Sequence, residues 1–211
     1  MRPLPSRLLL IADGFASGRP EMPAADIQRR TLELVNAGIR WVLLRDHTAS
    51  STQFSEAATD LAIQLRDRRP DVTLSISRYA AIARQLNAGI HIGERGPQWD
   101  EVADLPLVGF SAHSATQALI AQRAGANYVT FSPVFRTRSH PDAAPAGIDA
   151  LRRCVEAVEI PVLALGGMSA PRARLAMAAG ASGAAAISSL LFAYDPAVTA
   201  PRFLRAVGEG T

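Results

Sequence analysis

The chain contains no lysine: all 22 of its cationic residues are arginine. Chemistry that depends on an ε-amine is thereby excluded, which removes Schiff-base aldolases and lysine-bearing phosphate loops. Cysteine is nearly absent as well. The single Cys154 falls in a predicted helix and rules out an internal disulfide, so a reducing, cytoplasmic setting is expected. Long apolar runs are also missing. Leu8-Leu9-Leu10-Ile11-Ala12 is far too short to span a bilayer, and Asp13 closes it. Arg2 and Arg7 before that run imitate a signal peptide, but no A-x-A site follows, so no leader is expected. Finally, no basic run is interleaved with aromatics. The net charge of +3 comes from arginines scattered at Arg29, Arg40, Arg66, Arg84, Arg123, Arg152 and Arg172. Neither nucleic acid nor a membrane is an expected partner.

What is present is alternation. Apolar runs at 8–12, 41–44, 73–76, 89–92, 107–110, 128–131, 162–165 and 183–187 are each followed by a helical pattern or a loop. The helical patterns cover 24–37, 53–69, 79–87, 116–124, 149–158, 170–179 and about 196–207, with only a short turn near 99–103 after the fourth run. The runs are continuously apolar, as strands covered on both faces must be. Turns such as Asn36-Ala37-Gly38, Asn87-Ala88-Gly89 and Ala178-Ala179-Gly180 carry helix-terminating glycines. Eight such units predict an α/β fold: a (β/α)8 TIM barrel, one domain over 1–211, with a short or degenerate fourth helix. An open doubly wound sheet is the alternative, weakened by the lack of G-x-G-x-x-G after the first strand.

In such a barrel the loops after the strands build the active face. Those positions carry Asp13; Arg45, Asp46 and His47; Ser77 and Arg78; Gly93, Glu94 and Arg95; Ser111 and His113; Ser132 through His140; Gly166, Gly167 and Ser169; and Ser188 and Ser189. His91 lies within the fourth run, where it can face the mouth. The segment Arg136-Thr137-Arg138-Ser139-His140 is rich in guanidinium and hydroxyl donors, which suit an anion. Gly166-Gly167 between strand and helix, with Ser188-Ser189 after the next strand, predicts a phosphate site. The alternative is that the glycines merely make a tight turn. His113 is placed for proton transfer near neutral pH, or else it caps the helix that follows. His47, His91, His113 and His140 show no H-x-H or H-x-x-x-H spacing, so no metal site is expected from them.

Taken in order, GIHIGER, VGFSAHS, GANYVTFSPVFRTRSH, IPVLALGGM and GAAAISSL resemble the thiamine-phosphate synthase/TenI superfamily. The resemblance runs from Trp41 to about Leu190 and implies a barrel that binds a small thiazole phosphate. By resemblance Thr137, Ser139, Gly167 and Ser188 hold that phosphate, Arg45 is an active-face arginine, and Ser111 stands beside the substrate. Synthases of the superfamily join a pyrimidine diphosphate to the thiazole with Mg²⁺ and release pyrophosphate. The departures fall on that half of the chemistry. Q-x-R-x-K becomes Leu43-Leu44-Arg45-Asp46-His47, and N-D-R becomes Ile76-Ser77-Arg78. H-L-G-Q-x-D becomes His91-Ile92-Gly93-Glu94-Arg95-Gly96, and T-x-T-K becomes Thr137-Arg138-Ser139-His140.

Both metal-linked aspartates and both lysines are thus replaced. The pattern resembles the TenI branch, whose thiazole tautomerases move a proton with a general acid/base and no cofactor. That expectation makes His113 catalytic, with Ser111 and His140 as secondary candidates. The rivals are a divergent Mg²⁺-dependent synthase, with Asp13, Asp46 and Glu94 as a relocated metal site, and a non-catalytic sensor of thiazole or thiamine phosphate. A phosphosugar or amino-acid-pathway isomerase on the same barrel is more distant, since fold alone licenses no function. A homo-oligomer is compatible with all of them.

Overall fold

A computed structural model describes residues 3–93, 96–137 and 144–210. Its strands are β1 (Leu8–Asp13), β2 (Trp41–Arg45), β3 (Thr73–Ser77), β4 (Gly89–Ile92), β5 (Val108–Ala112), β6 (Tyr128–Phe131), β7 (Val162–Ala164) and β8 (Gly183–Ala186). Each pairs in parallel with the next, and β8 returns to β1 in the register Leu8↔Ala184, Leu9↔Ala185, Leu10↔Ala186. The sheet therefore closes into the expected (β/α)8 barrel. Outside it lie α1 (Ala24–Asn36), α2 (Ser51–Arg68), α3 (Ala80–Gln85), α4 (Ala115–Arg123), α5 (Gly147–Ala157), α6 (Ala170–Ala178), α7 (Ser188–Leu191) and α8 (Pro196–Ala206). Among the described residues no helix is long and apolar enough to cross a membrane.

The strands are buried on both faces, and alternation divides the core. Leu9, Ile11, Trp41, Leu43, Tyr128, Leu163 and Ala185 fill the barrel interior. Leu8, Leu10, Val42, Leu44, Val129 and Val162 pack outward under the helices. Each fully buried large aliphatic side chain contributes roughly 2 kcal/mol. Cys154 sits on the buried face of α5, where burial pushes its thiol up to about 11. The interior must also seat two large rings, those of Trp41 and Tyr128, packed edge to face at 4.8 Å. Gly109 makes the room: a Cβ there would stand 2.1 Å from the Tyr128 ring.

Helix starts are capped where the chain leaves the barrel mouth. Ser50 and Gln53 form a reciprocal capping box on α2, Ser114 caps α4, and Ser169 caps α6. After β4 turns take the place of a helix, matching the short or degenerate fourth helix expected. There Val102 is buried and the Trp99 ring packs 5.6 Å from Phe110. One element departs from expectation. Ile187-Ser188-Ser189 does not form an open loop but leads directly into α7, whose Leu190 and Leu191 are fully buried. A single helical turn is too short for its periodicity to register in sequence.

Candidate active site

The strand ends converge on a continuous trough across the barrel mouth. Its widest part, about 580 Å³, is lined by Arg45, His47, Ser77, Arg78, His91, Ser111 and His113. A middle lobe of about 350 Å³ shares Arg45, His47, Ser111 and His113 and reaches Thr137 and Gly166. A third lobe of about 360 Å³ is lined by Arg136, Thr137, Gly166, Gly167, Arg172, Ser188 and Ser189. Most of the residues expected at the site are therefore brought together. Glu94, Ser139 and His140 lie outside the described residues.

On the β1–β3 side the site is built from charge. Asp13 ends β1 and accepts from Arg45 Nε at 2.7 Å; its other oxygen accepts from Arg19 Nη1. Arg19, on the loop after β1, carries no sequence signal beyond its position, and it also lies 5.8 Å over the Phe192 ring. With its Nε end fixed on Asp13, the Arg45 guanidinium keeps its terminal N–H groups for the cavity that it lines. Arg78 follows β3 in the left-handed region, at φ 58°. That conformation is uncommon for a residue with a side chain and costs on the order of 1 kcal/mol. Burial, with the charges of Arg45 and Arg78, lowers the pKa of His47. A neutral imidazole thus stands beside two guanidinium groups.

Asp46 corrects an expectation. Its carboxylate faces no open site; it accepts from the backbone N–H groups of Ala16, Ser17, Thr48 and Ala49 and from the Ser17 hydroxyl. Burial alone would raise its carboxyl, but the N–H groups of Ala49, Ser17 and Thr48 outweigh it and hold the pKa at about 2. The Mg²⁺ that the resemblance attaches to a synthase needs free carboxylate oxygens. Asp13 gives its oxygens to two arginines and Asp46 gives its own to the backbone, so the described carboxylates do not fit that ion. Asp13 and Asp46 serve instead to position Arg45 and to tie the loops after β1 and β2 together.

At the centre, His91 is buried and bonded through both nitrogens: Nδ1 to Tyr128 Oη at 3.0 Å and Nε2 to Ser111 Oγ at 2.9 Å. Burial, with the charge of Arg45, pushes its imidazole down to about 3, so it is neutral at physiological pH. His91 is 7% exposed and lines the wide lobe beside the Ser111 that it bonds. His113, at the exposed rim, donates from Nδ1 to the Ser132 carbonyl at 2.8 Å. A carbonyl can only accept, so the neutral ring carries its proton on Nδ1 and presents a basic Nε2.

On the β6–β8 side the site is built from backbone. The segment after β6 lies along the segment after β7, with Val134 N–H donating to Leu165 O at 2.9 Å and Phe135 N–H to Gly166 O at 3.2 Å. Both glycines have positive φ, 98° and 61°, and a Cβ would stand 2.7 Å from Pro133 at Gly166 and 2.4 Å from Arg136 O at Gly167. They are therefore needed for loop-on-loop packing as well as for the turn, a role the strand–glycine–helix pattern does not reveal. Arg172, though exposed, is more than a scattered surface arginine. It donates to Gly167 O at 2.7 Å, lies 4.9 Å over the Phe135 ring, and lines the third lobe.

Comparison with known proteins agrees with this architecture. The family model described as thiamine monophosphate synthase (TMP-TENI) matches residues 16–190. A thiamine-phosphate synthase of Chloroflexus aurantiacus is 34% identical over 217 residues, covering 95% of this chain and 92% of that protein. A putative thiamine-phosphate synthase 2 of Aquifex aeolicus is 34% identical over 166 residues, covering 76% of this chain and 88% of its own. Among solved structures, a thiamine phosphate pyrophosphorylase from Pyrococcus furiosus superposes with a TM-score of 0.82 at 25% identity, over 97% of this chain and 96% of that one. The expected tautomerase branch gains no support from these relatives, which carry synthase names. The chain belongs to the thiamine monophosphate synthase/TenI family.

Proposed function

We propose that this protein is a transferase of the thiamine-phosphate synthase kind. It would join a pyrimidine carried as its diphosphate to a thiazole phosphate and release pyrophosphate. The observation that carries this reading is that one trough holds two separate anion-ready ends, Arg45 with Arg78 on one side and the Gly166-Gly167 and Ser188-Ser189 segments with Arg172 on the other. A transferase with two phosphorylated substrates needs both ends, whereas an isomerase of one thiazole phosphate needs a single end. The synthase names of relatives that align over nearly the whole chain support the same choice.

The chemistry follows from this placement. The thiazole phosphate is anchored at the β7–β8 end by Thr137, Gly167 and Ser188, with Arg172 adding charge. The pyrimidine diphosphate lies in the wide lobe, its diphosphate toward Arg45 and Arg78. As the carbon–oxygen bond to the diphosphate breaks and the ring nitrogen bonds to that carbon, charge grows on the leaving group. Arg45, already oriented by Asp13, opposes it without reorganising. Ser111, between the two ends, is placed to hold the ring being transferred. The reading implies a cytoplasmic enzyme, in keeping with an unpaired, buried Cys154.

The Nε2 of His113 favours a second reading, thiazole tautomerisation, because a neutral imidazole with a free basic nitrogen can carry a proton between ring and exocyclic carbon. One experiment separates them. Incubation with both phosphorylated substrates should release pyrophosphate in step with thiamine phosphate. No pyrophosphate, together with aromatisation of the carboxythiazole phosphate tautomer supplied alone, would replace the first reading with the second.

A further inference from the structure

A chain of buried hydrogen bonds runs from the foot of the barrel to its mouth. Trp41 Nε1 donates to Ser75 Oγ at 3.1 Å. Ser75 also stands beside the Tyr128 hydroxyl. Tyr128 Oη meets His91 Nδ1 at 3.0 Å, and His91 Nε2 meets Ser111 Oγ at 2.9 Å, with Thr130 Oγ1 farther off at 3.4 Å. Trp41, Ser75, Thr130 and Tyr128 are all fully buried. Every link except the first could run either way if taken alone.

Trp41 removes the ambiguity, because an indole nitrogen only donates. Ser75 must accept from it, and its own hydrogen then needs an acceptor in a dry interior. Among the described contacts the Tyr128 oxygen is the one available. If Tyr128 donated to Ser75 instead, the Ser75 hydrogen would be orphaned, which buried hydroxyls rarely tolerate. Among the described residues the hydrogen bond at Tyr128 Oη is to His91 Nδ1, at 3.0 Å, so the buried phenol gives its hydrogen there. That leaves the hydrogen of His91 on Nε2, directed at Ser111 Oγ, and the Ser111 hydrogen free for the trough.

We propose that Trp41, through Ser75, Tyr128 and His91, fixes Ser111 as a hydrogen-bond donor to the bound substrate. Ser111 is the group that touches substrate; Tyr128 and His91 are positioning residues that act through it. The opposite direction would put the hydrogen on His91 Nδ1, turn the Ser111 hydroxyl inward to Nε2, and offer substrate an acceptor. The two directions therefore select opposite partners: a ring nitrogen or carbonyl oxygen in the first case, an amino group in the second.

The inference rests on the trough being a substrate site, but its first test uses the free protein. A long-range ¹H–¹⁵N correlation spectrum at pH 7, with the His91 signals assigned by their loss in His91→Gln, should show His91 as the Nε2–H form. The Nδ1–H form would overturn the proposal. Neither result depends on turnover, so failure of the proposed reaction would not obscure it. The second test is a double-mutant cycle. Tyr128→Phe should lower kcat roughly threefold to tenfold with little change in KM, and that loss should vanish in a Ser111→Ala background. An equal loss in both backgrounds would mark Tyr128 as merely structural and would also overturn the proposal.

Discussion

Around β1–β3 the mouth is shaped by paired charged side chains, whereas around β6–β8 it is shaped by glycines, serines and main chain, with Arg136 and Arg172 at its edge. Arg45 is held by Asp13, which Arg19 also holds, and the loop beside it is tied down by Asp46. Gly166 and Gly167 are held by shape, since the loop after β6 leaves no room for a side chain. A charged side chain can be exchanged for another of similar reach. A space that only hydrogen fills permits no such exchange.

Three substitutions would break or sharpen that contrast. The largest effect should follow Arg45→Ala, which removes a preoriented cation opposite the leaving group. A fall in kcat/KM on the order of 100-fold to 1,000-fold is expected, with thiazole phosphate affinity nearly unchanged. Equal weakening of both substrates in calorimetry would dissolve the distinction between the two ends. Next, Gly167→Ala should impose roughly 1–3 kcal/mol of strain and displace the Arg136 carbonyl. Thiazole phosphate affinity should suffer and diphosphate affinity should not; an unperturbed site would show the glycine to be a convenience of the turn.

The smallest effect should come from Asp46→Asn. The Asp46 carboxyl moves from its ordinary 3.8 to about 2 on folding. A lowered folded pKa favours the native state above the unfolded value, so the contribution, about 2 kcal/mol, is complete near pH 6 and lost as pH falls from about 4 to 2. The difference in urea stability between wild type and variant should shrink over that window while turnover at pH 7 holds. A variant that lost Mg²⁺ affinity instead would return Asp46 to the role of a metal ligand.

The barrel was legible because parallel strands covered on both faces read as uninterrupted apolar runs, and glycines mark the ends of α1, α4, α6 and α8. The β6–β8 end of the site was legible for the same reason: paired glycines and paired serines leave a trace in sequence. The charged end was not. Asp46 and Asp13 look alike as acidic residues after a strand, and only the backbone amides that surround one and the arginines that surround the other tell them apart. Arg172 read as surface, which it is, and its bond to the Gly167 carbonyl leaves no trace in the sequence. Trp41, Ser75 and Tyr128 read as core, which they are. Their direction as a hydrogen-bond chain exists only once the closed barrel brings β6 across its interior to β2 and β3.

The burial of Cys154 gives the experimenter a quiet background. Its thiol, held up at about 11 inside the packing of α5, offers thiol reagents almost no thiolate at neutral pH. A cysteine introduced on the exposed rim, in place of Arg78 for instance, would then be the reactive one. A single dye attached there could report arrival of the diphosphate substrate in real time, with no need to delete the native cysteine first.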